Sequence, residues 1–82
     1  MSAMYYLGQI CLFPYDFEPK GFLRCDGRSL NVNQHTALHS LLLEKFGGEN
    51  GETFRLPDMT NAAPHGMMYC ICFMGNYPPR ND

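Results

Sequence analysis

The chain has 82 residues, a length typical of one small domain, so we expect a single domain over residues 1–82. Hydrophobic residues make up 45% and aromatic residues 13% of the chain, which favours a globular core over disorder. The formal net charge is −2 with only six Lys and Arg, so the basic surface that nucleic-acid binding requires is missing. A domain of this size is marginally stable alone, and we expect a covalent staple or an oligomer interface.

The sequence gives no targeting or membrane signal. The opening stretch MSAMYYLGQICLF lacks the positive region and the small-residue cleavage site of a signal peptide. The longest apolar run, residues 67–74, is too short to span a bilayer. We therefore expect synthesis in a cytoplasm, no membrane partner, and cysteines that need not form disulfides.

The first part of the chain predicts two strands joined by a turn-rich connection. Residues 5–13 are apolar and β-prone, with Gly8 as a candidate bulge or close backbone approach. Residues 22–25 can form a second, shorter strand. The dipeptide Asp26-Gly27 that follows favours a tight turn with positive φ.

A helix is predicted over residues 32–46. Asn31 is a suitable N-cap, and Gln34 three residues later fits a capping box. Gly47 supplies the residue that commonly adopts a positive φ just after a helix end. Apolar residues recur at helical spacing and predict one buried stripe, formed by Ala37, Leu38, Leu41, Leu42 and Phe46.

Two extended segments are predicted after the helix. Residues 53–56 form a short one that Pro57 stops. Residues 67–74 form a long strand whose apolar character on both faces indicates burial from two sides. Short strands packed around one central helix, with the N- and C-terminal strands paired, give an α+β fold class.

The spacing of several motifs resembles the phage tail collar domain family. The matching segments are GQI at 8–10, FEPKGF at 17–22, CDG at 25–27, NQHTALHSLL at 33–42, GG at 47–48 and TFRLPD at 53–58. Residues 69–81 are similar to the family's closing strand and its G-x-[FY]-P-x-R-N end, so the resemblance runs from residue 8 to residue 81.

The resemblance implies a non-enzymatic phage or prophage tail module that forms a homo-oligomer, with a trimer favoured. Its implied partners are copies of itself and other tail fibre proteins. Its implied locations are the cytoplasm of the infected bacterial host and the virion tail. The residues assigned to structural motifs are Cys25, Asp26, Gly27, Asn31, Gln34, Gly47 and Pro57, and all of them except the N-cap candidate Asn31 lie in segments that match the family.

One departure from the family's pattern follows Asp58. In family members the L-P-D-L motif usually precedes R-G-R and a long glycine-rich insertion that is thought to reach toward the host surface. Here only about ten residues separate Asp58 from the last predicted strand. The absence of the insertion puts host-adhesin activity in doubt.

The cysteines offer a possible metal site and a simpler alternative. Cys70 and Cys72 share one face of a predicted strand and are poorly placed to bridge each other. With Cys25 and His65 they could bind zinc, but the C-x₂-C pairing of structural zinc sites is missing. Cysteine packs as a small hydrophobic residue, so we predict buried free thiols and no metal.

Two histidines lie four residues apart on the predicted helix. His35 and His39 share one helical face but lack the HExxH context of a metalloprotease. A solvated face or an oligomer contact is favoured over a metal site. The chain also has no Ser–His–Asp order, no P-loop and no paired carboxylates in an apolar setting, so we expect neither an enzyme nor a cofactor.

Four charged residues flank the family motifs. Asp26 and Asp58 are expected to accept backbone N–H bonds in their turns. Arg28 and Arg55 either support the structure locally or meet carboxylates or phosphates across a subunit boundary, and the sequence leaves both readings open. The candidate residues for ligand or partner binding are Arg28, His35, His39, Arg55, Asp58, His65, Tyr77 and Arg80.

Two classes of function remain. The first is the oligomeric tail module implied by the resemblance. The second is a standalone oligomeric binding protein that sequesters a small-molecule ligand or a host factor, for example a phage antagonist of a host defence signal. The missing host-facing insertion motivates the second hypothesis.

Overall fold

A computed structural model describes residues 5–49 and 51–79. In these ranges the chain forms mostly antiparallel strands and one short helix, which fits an α+β class. The elements are β1 (Ile10–Phe13), β2 (Phe22–Arg24), β3 (Ser29–Asn31), α1 (Thr36–Leu42), β4 (Thr53–Arg55) and β5 (Met68–Cys72). Within the same ranges, no helix has the length and hydrophobicity needed to cross a bilayer.

Strand β5 occupies the middle of a three-stranded sheet with the order β1-β5-β2. It runs antiparallel to both neighbours, so the first and last strands of the described chain lie side by side. One face of β5 buries Met68, Cys70 and Cys72, and the other face buries Ile71. Because side chains are buried on both faces, β5 needs apolar residues at consecutive positions.

Strands β3 and β4 form a second, two-stranded antiparallel sheet. Leu30 lies opposite Phe54 in this pair. The sequence does not predict β3, because three residues with one apolar side chain give almost no periodic signal. Its pairing with β4, which is distant in sequence, makes it a strand.

The main core lies between one face of the three-stranded sheet, the β3–β4 sheet and α1. Its buried residues are Leu7, Cys25, Leu38, Phe54, Leu56 and Ile71. A smaller cluster of Phe22, Met68, Cys70 and Cys72 occupies the other face of β5. Phe54 is 0% exposed and is one of the largest fully buried side chains.

The start of the helix differs from the prediction over residues 32–46. Helix α1 begins at Thr36, with His35 as an N-cap that makes no side-chain cap bond. Asn31 ends β3 instead, and its side-chain oxygen accepts the Asn33 N–H at 2.8 Å. The Gln34 N–H donates to the Asn31 main-chain oxygen at 3.1 Å. The predicted capping box is therefore wrong, because Asn31 stabilises a turn at the end of a strand.

The helix also ends earlier than predicted. Leu43, its C-cap, has φ +53°, which turns the chain away from the helix axis. Gly47 does adopt a positive φ, but in the following loop rather than directly after α1. Of the predicted stripe, Leu38 is buried, Leu41 and Leu42 are partly buried against the main core, and Ala37 and Phe46 are exposed.

The predicted first strand over residues 5–13 is shortened. Gly8 has φ +84°, and β1 begins only at Ile10. Before it, Tyr6 forms an isolated parallel bridge with Asn76. The glycine thus separates two short extended pieces that have different partners.

Candidate functional site

Glu18, Asp26 and Arg28 form a charged cluster at the turn between β2 and β3. The Arg28 guanidinium pairs with Asp26 through two bonds, Nε to Oδ1 at 3.0 Å and Nη2 to Oδ2 at 3.1 Å. The same Nη2 lies 2.8 Å from Glu18 Oε2. Both carboxylates therefore neutralise Arg28 inside its own chain.

This pairing changes the titration of both partners. Hydrogen bonds from the Arg28 side chain hold the Asp26 pKa below its ordinary value. The same bonds raise the pKa of Arg28. Because each charged form is stabilised by the other, the cluster stiffens the turn at neutral pH.

The Asp26–Arg28 pair predicts a pH-dependent contribution to stability. Since the folded-state pKa of Asp26 is depressed, its contribution is present above the ordinary value of 3.8 and is lost as pH falls through the lower folded value. Asp26→Asn should cost about 0.5–1.5 kcal/mol of unfolding free energy at pH 7, and almost nothing in strong acid. Urea unfolding at pH 7 and near pH 2 measures both values.

Asp16→Asn is the matched control, because Asp16 is exposed and makes no ion pair within the described part of the chain. It should leave the unfolding free energy unchanged at both pH values. A cost of Asp26→Asn that persists in acid would contradict the electrostatic origin.

The C-D-G and L-P-D turns lie beside each other. An isolated antiparallel bridge joins Asp26 to Asp58. Asp58 Oδ1 accepts the Thr60 N–H at 3.2 Å and the Thr60 hydroxyl at 2.7 Å, and these bonds lower the Asp58 pKa. Arg55 Nε donates to the Gly27 main-chain oxygen at 3.0 Å. The fold thus brings Arg28, Arg55 and Asp58 to adjacent turns, where each has partners in the same chain.

The two helix histidines contact the core instead of forming a solvated face. The His35 ring lies edge-on to Phe73, with ring centroids 5.6 Å apart. His39 lies 5.2 Å from the Phe54 ring, and its Nε2 is 2.8 Å from a carboxylate oxygen of Glu44. Both side chains are partly buried and have packing partners in the same chain, and an oligomer contact by these histidines stays a prediction.

The other candidate residues are dispersed. His65 is exposed in the turn before β5. Tyr77 is 55% exposed, and its hydroxyl lies 3.0 Å from Ser40 Oγ on α1. Arg80 lies outside the described residues.

The free edge of β1 is a surface that the sequence analysis missed. Cys72 N–H donates to the Gln9 oxygen at 2.9 Å, so by alternation the backbone groups of Ile10 and Leu12 point away from β5. The side chains of these two residues are 39% and 37% exposed. No charged residue occurs from position 5 to position 15 to protect this edge.

A column of three aromatic rings continues from the same strand. Phe13 stacks on Tyr15 with centroids 5.4 Å apart, and Tyr15 stacks on Phe17 at 5.0 Å. Tyr15 is 43% and Phe17 is 60% exposed. We call the exposed apolar residues Ile10, Leu12, Tyr15 and Phe17 the β1 edge surface. The uncharged apolar run at residues 10–13, with Tyr15 and Phe17 soon after it, was the sequence signal that could have revealed it.

The model of the phage tail collar domain family matches residues 8–64, well over half of the chain. The chain belongs to the phage tail collar domain family. This collar domain is therefore a member of a structural family of phage tails. No match was found among curated proteins or among solved structures.

The matched range covers the turn motifs, α1 and the β1 edge surface of this collar domain. It ends before β5, so the resemblance of residues 69–81 to the family's closing segment stays a prediction. Among the motif residues in the matched range, Cys25, Gly27 and Pro57 are buried, whereas Asn31, Gln34 and Asp58 are exposed. The β1 edge surface is an exposed apolar part of the match.

The cysteines of this collar domain are free thiols in the structure, and three of them are buried. Burial, with a smaller effect from Cys70, raises the Cys25 pKa to about 12, so Cys25 stays a thiol at neutral pH. Burial also raises the pKa of Cys70 and of Cys11. Among residues 5–49 and 51–79, no three His, Cys, Asp or Glu residues cluster in a way that could hold a metal ion.

Proposed function

We propose that this collar domain is a non-enzymatic structural module that assembles as a homo-oligomer through the β1 edge surface. A trimer is the oligomeric state that we expect, from the family resemblance. The observation that carries the proposal is the β1 edge surface itself, where four large apolar side chains lie along and just after an uncharged strand edge that has no partner strand within residues 5–49 and 51–79.

The physical reason is the cost of leaving such an edge in water. Natural sheets usually protect their edge strands with charged residues, bulges or covering segments. Here Pro14, directly after β1, is the main local protection. Burying the edge against another copy would remove apolar surface from water at roughly 25 cal/mol per Å², and would pair the outward backbone groups of Ile10 and Leu12.

The chemistry of the candidate residues supports a non-enzymatic role. Arg28 and Asp26 neutralise each other, and Arg55 is bonded to a main-chain oxygen. Cys25 is a buried, protonated thiol at neutral pH and is a poor nucleophile. Such groups hold turns together and are not poised for proton or group transfer.

The oligomer proposal predicts that a charge on the β1 edge separates the copies. Leu12→Lys adds a cation where the apolar side chain would be buried, and should weaken self-association at least about tenfold. Light scattering during size-exclusion chromatography, over a range of concentrations, measures the change. The wild-type chain should elute at three times the chain mass.

Leu43→Lys is the matched control. Leu43 is 56% exposed, lies at the end of α1, and is not part of the β1 edge surface. The Leu43→Lys variant should have the same assembly mass as the wild-type chain. A wild-type monomer at all concentrations would refute the oligomer, whereas an oligomer that resists Leu12→Lys would refute the β1 edge as its interface.

We also propose that the assembled domain is located in the virion tail in contact with tail fibre proteins, after synthesis in the cytoplasm of the infected host. The alternative, a free protein that sequesters a ligand or host factor, has no support from the family match. The two are separated by mass spectrometry of purified virions and of cleared lysate. Recovery only from the lysate would contradict the tail location.

A further inference from the structure

A cavity of about 210 Å³ lies beside Arg24 of β2 and Met68 of β5. Met59 and Met67 contribute further apolar wall, and Tyr69 contributes an aromatic ring. None of the residues lining the cavity is Asp or Glu, so Arg24 supplies its only charge. The cavity shares no lining residue with the β1 edge surface, although Tyr69 in its wall lies opposite Leu12 in the β1–β5 pair.

Among the described residues, no carboxylate pairs with the guanidinium of Arg24. Its Nε and Nη2 lie 3.2 Å and 3.1 Å from the sulfur of Met68, and a thioether is a weak acceptor. The nearby carboxylate of Glu18 accepts the Arg24 backbone N–H and pairs with Arg28. Asp26 is also held by Arg28. Within residues 5–49 and 51–79, Arg24 makes no ion pair, so its donors remain available to an anion.

A second cavity of similar size shows why the first one favours an anion. It is lined by Arg24 and Arg28 together with the carboxylates of Asp16 and Glu18, so its charges balance. The cavity beside Met68 has the arginine without the carboxylates. An anion that approaches Arg24 is therefore repelled less on the methionine side.

We propose that the cavity beside Met68 binds a small organic monocarboxylate with an apolar body. The carboxylate would replace the Met68 sulfur as acceptor for the paired Arg24 donors, a geometry that suits Arg and carboxylates. The apolar body would lie against Met59 and Met67, whose flexible side chains adapt to irregular shapes. The volume is below the ~300–1,000 Å³ of pockets for drug-sized ligands, so the ligand is small.

The test uses the full chain labelled with ¹³C at its methionine methyl groups. Benzoate is the probe, and uncharged benzamide of the same shape is the reference ligand. We expect benzoate to shift the methyl signals of Met59, Met67 and Met68 saturably, with Met74 unaffected. Benzamide should bind at least about fivefold more weakly, because it lacks the charge.

The decisive variant is Arg24→Gln, which should reduce benzoate affinity to that of benzamide and leave benzamide affinity unchanged. Lys45→Gln is the control, because it makes the same change in net charge at an exposed position outside the cavity. If Arg24→Gln does not fold, Arg24→Lys keeps the charge without the paired donors and should weaken benzoate binding several-fold.

Three outcomes would overturn the proposal: no saturable shift with benzoate, equal affinity for benzoate and benzamide, or full benzoate affinity in Arg24→Gln. None of them depends on the oligomeric state. Ile10→Lys also charges the β1 edge but lies opposite Ile71, which does not line the cavity. The Ile10→Lys variant should bind benzoate as the wild-type chain does, so failure of the ligand site and failure of the assembly interface are distinguishable.

Discussion

Gly48→Ala is expected to destabilise the domain by about 3–5 kcal/mol. A Cβ at this position would lie 2.5 Å from the Thr53 oxygen and 2.6 Å from the Phe54 Cα, both of them main-chain atoms of β4. Gly48 also has φ +131°, which side chains rarely allow. Relief would require moving β4 away from the loop, and that would break the bond from Arg55 N–H to the Gly47 oxygen.

Gly66→Ala separates the two causes of this loss. Gly66 has φ +81°, but a Cβ there would meet nothing within 4 Å. Backbone strain alone should then cost about 1–2 kcal/mol. Urea unfolding at one protein concentration measures the loss of unfolding free energy in each variant. The loss in Gly48→Ala minus the loss in Gly66→Ala is the cost of the steric contact with β4. Equal losses would show that the Gly48 backbone does not approach β4 closely.

Phe54→Ala is the second large effect, with an expected loss of about 3–5 kcal/mol. Phe54 is 0% exposed, lies opposite Leu30 in the β3–β4 pair, and packs against the His39 ring of α1. A domain of this size has a total stability of about 4–12 kcal/mol, so the variant should be partly or fully unfolded at 37 °C. Thermal unfolding followed by circular dichroism measures the loss.

The control for Phe54→Ala is Phe46→Ala. Phe46 is 42% exposed, although helical spacing placed it on the same buried stripe as Leu38. Its removal should cost less than about 1 kcal/mol. A large loss in Phe46→Ala would instead support the longer helix that the sequence predicted.

The two variants also show where sequence reasoning was sufficient and where it was not. The extended segment predicted over residues 53–56 contains β4, which ends one residue earlier at Arg55. Helical spacing correctly placed Leu38 in the core but wrongly included Phe46, because periodicity does not reveal that Leu43 turns the chain. A single residue with positive φ is outside what a hydrophobic pattern encodes.

The candidate site was predicted in its residues but not in its contacts. The sequence pointed to Arg28 and left open whether its partner was local or on another subunit. The structure pairs it with Asp26, two residues away, and with Glu18 from the preceding loop. The sequence does not single out Arg24, because among the described residues Arg24 is left without a carboxylate partner only once Arg28 pairs with both Glu18 and Asp26.

By itself, the sequence determined the family, favoured the α+β class, and placed a turn with positive φ at Gly27, since turn chemistry and motif spacing are local properties. The tertiary structure alone decided that β3 is a strand, that β5 is central, and that α1 is short. It also decided that the edge of β1 is left open and that Arg24 lacks a carboxylate partner in the described chain. These features depend on which distant segments lie side by side, and burial, strand pairing and charge neutralisation all follow from that arrangement.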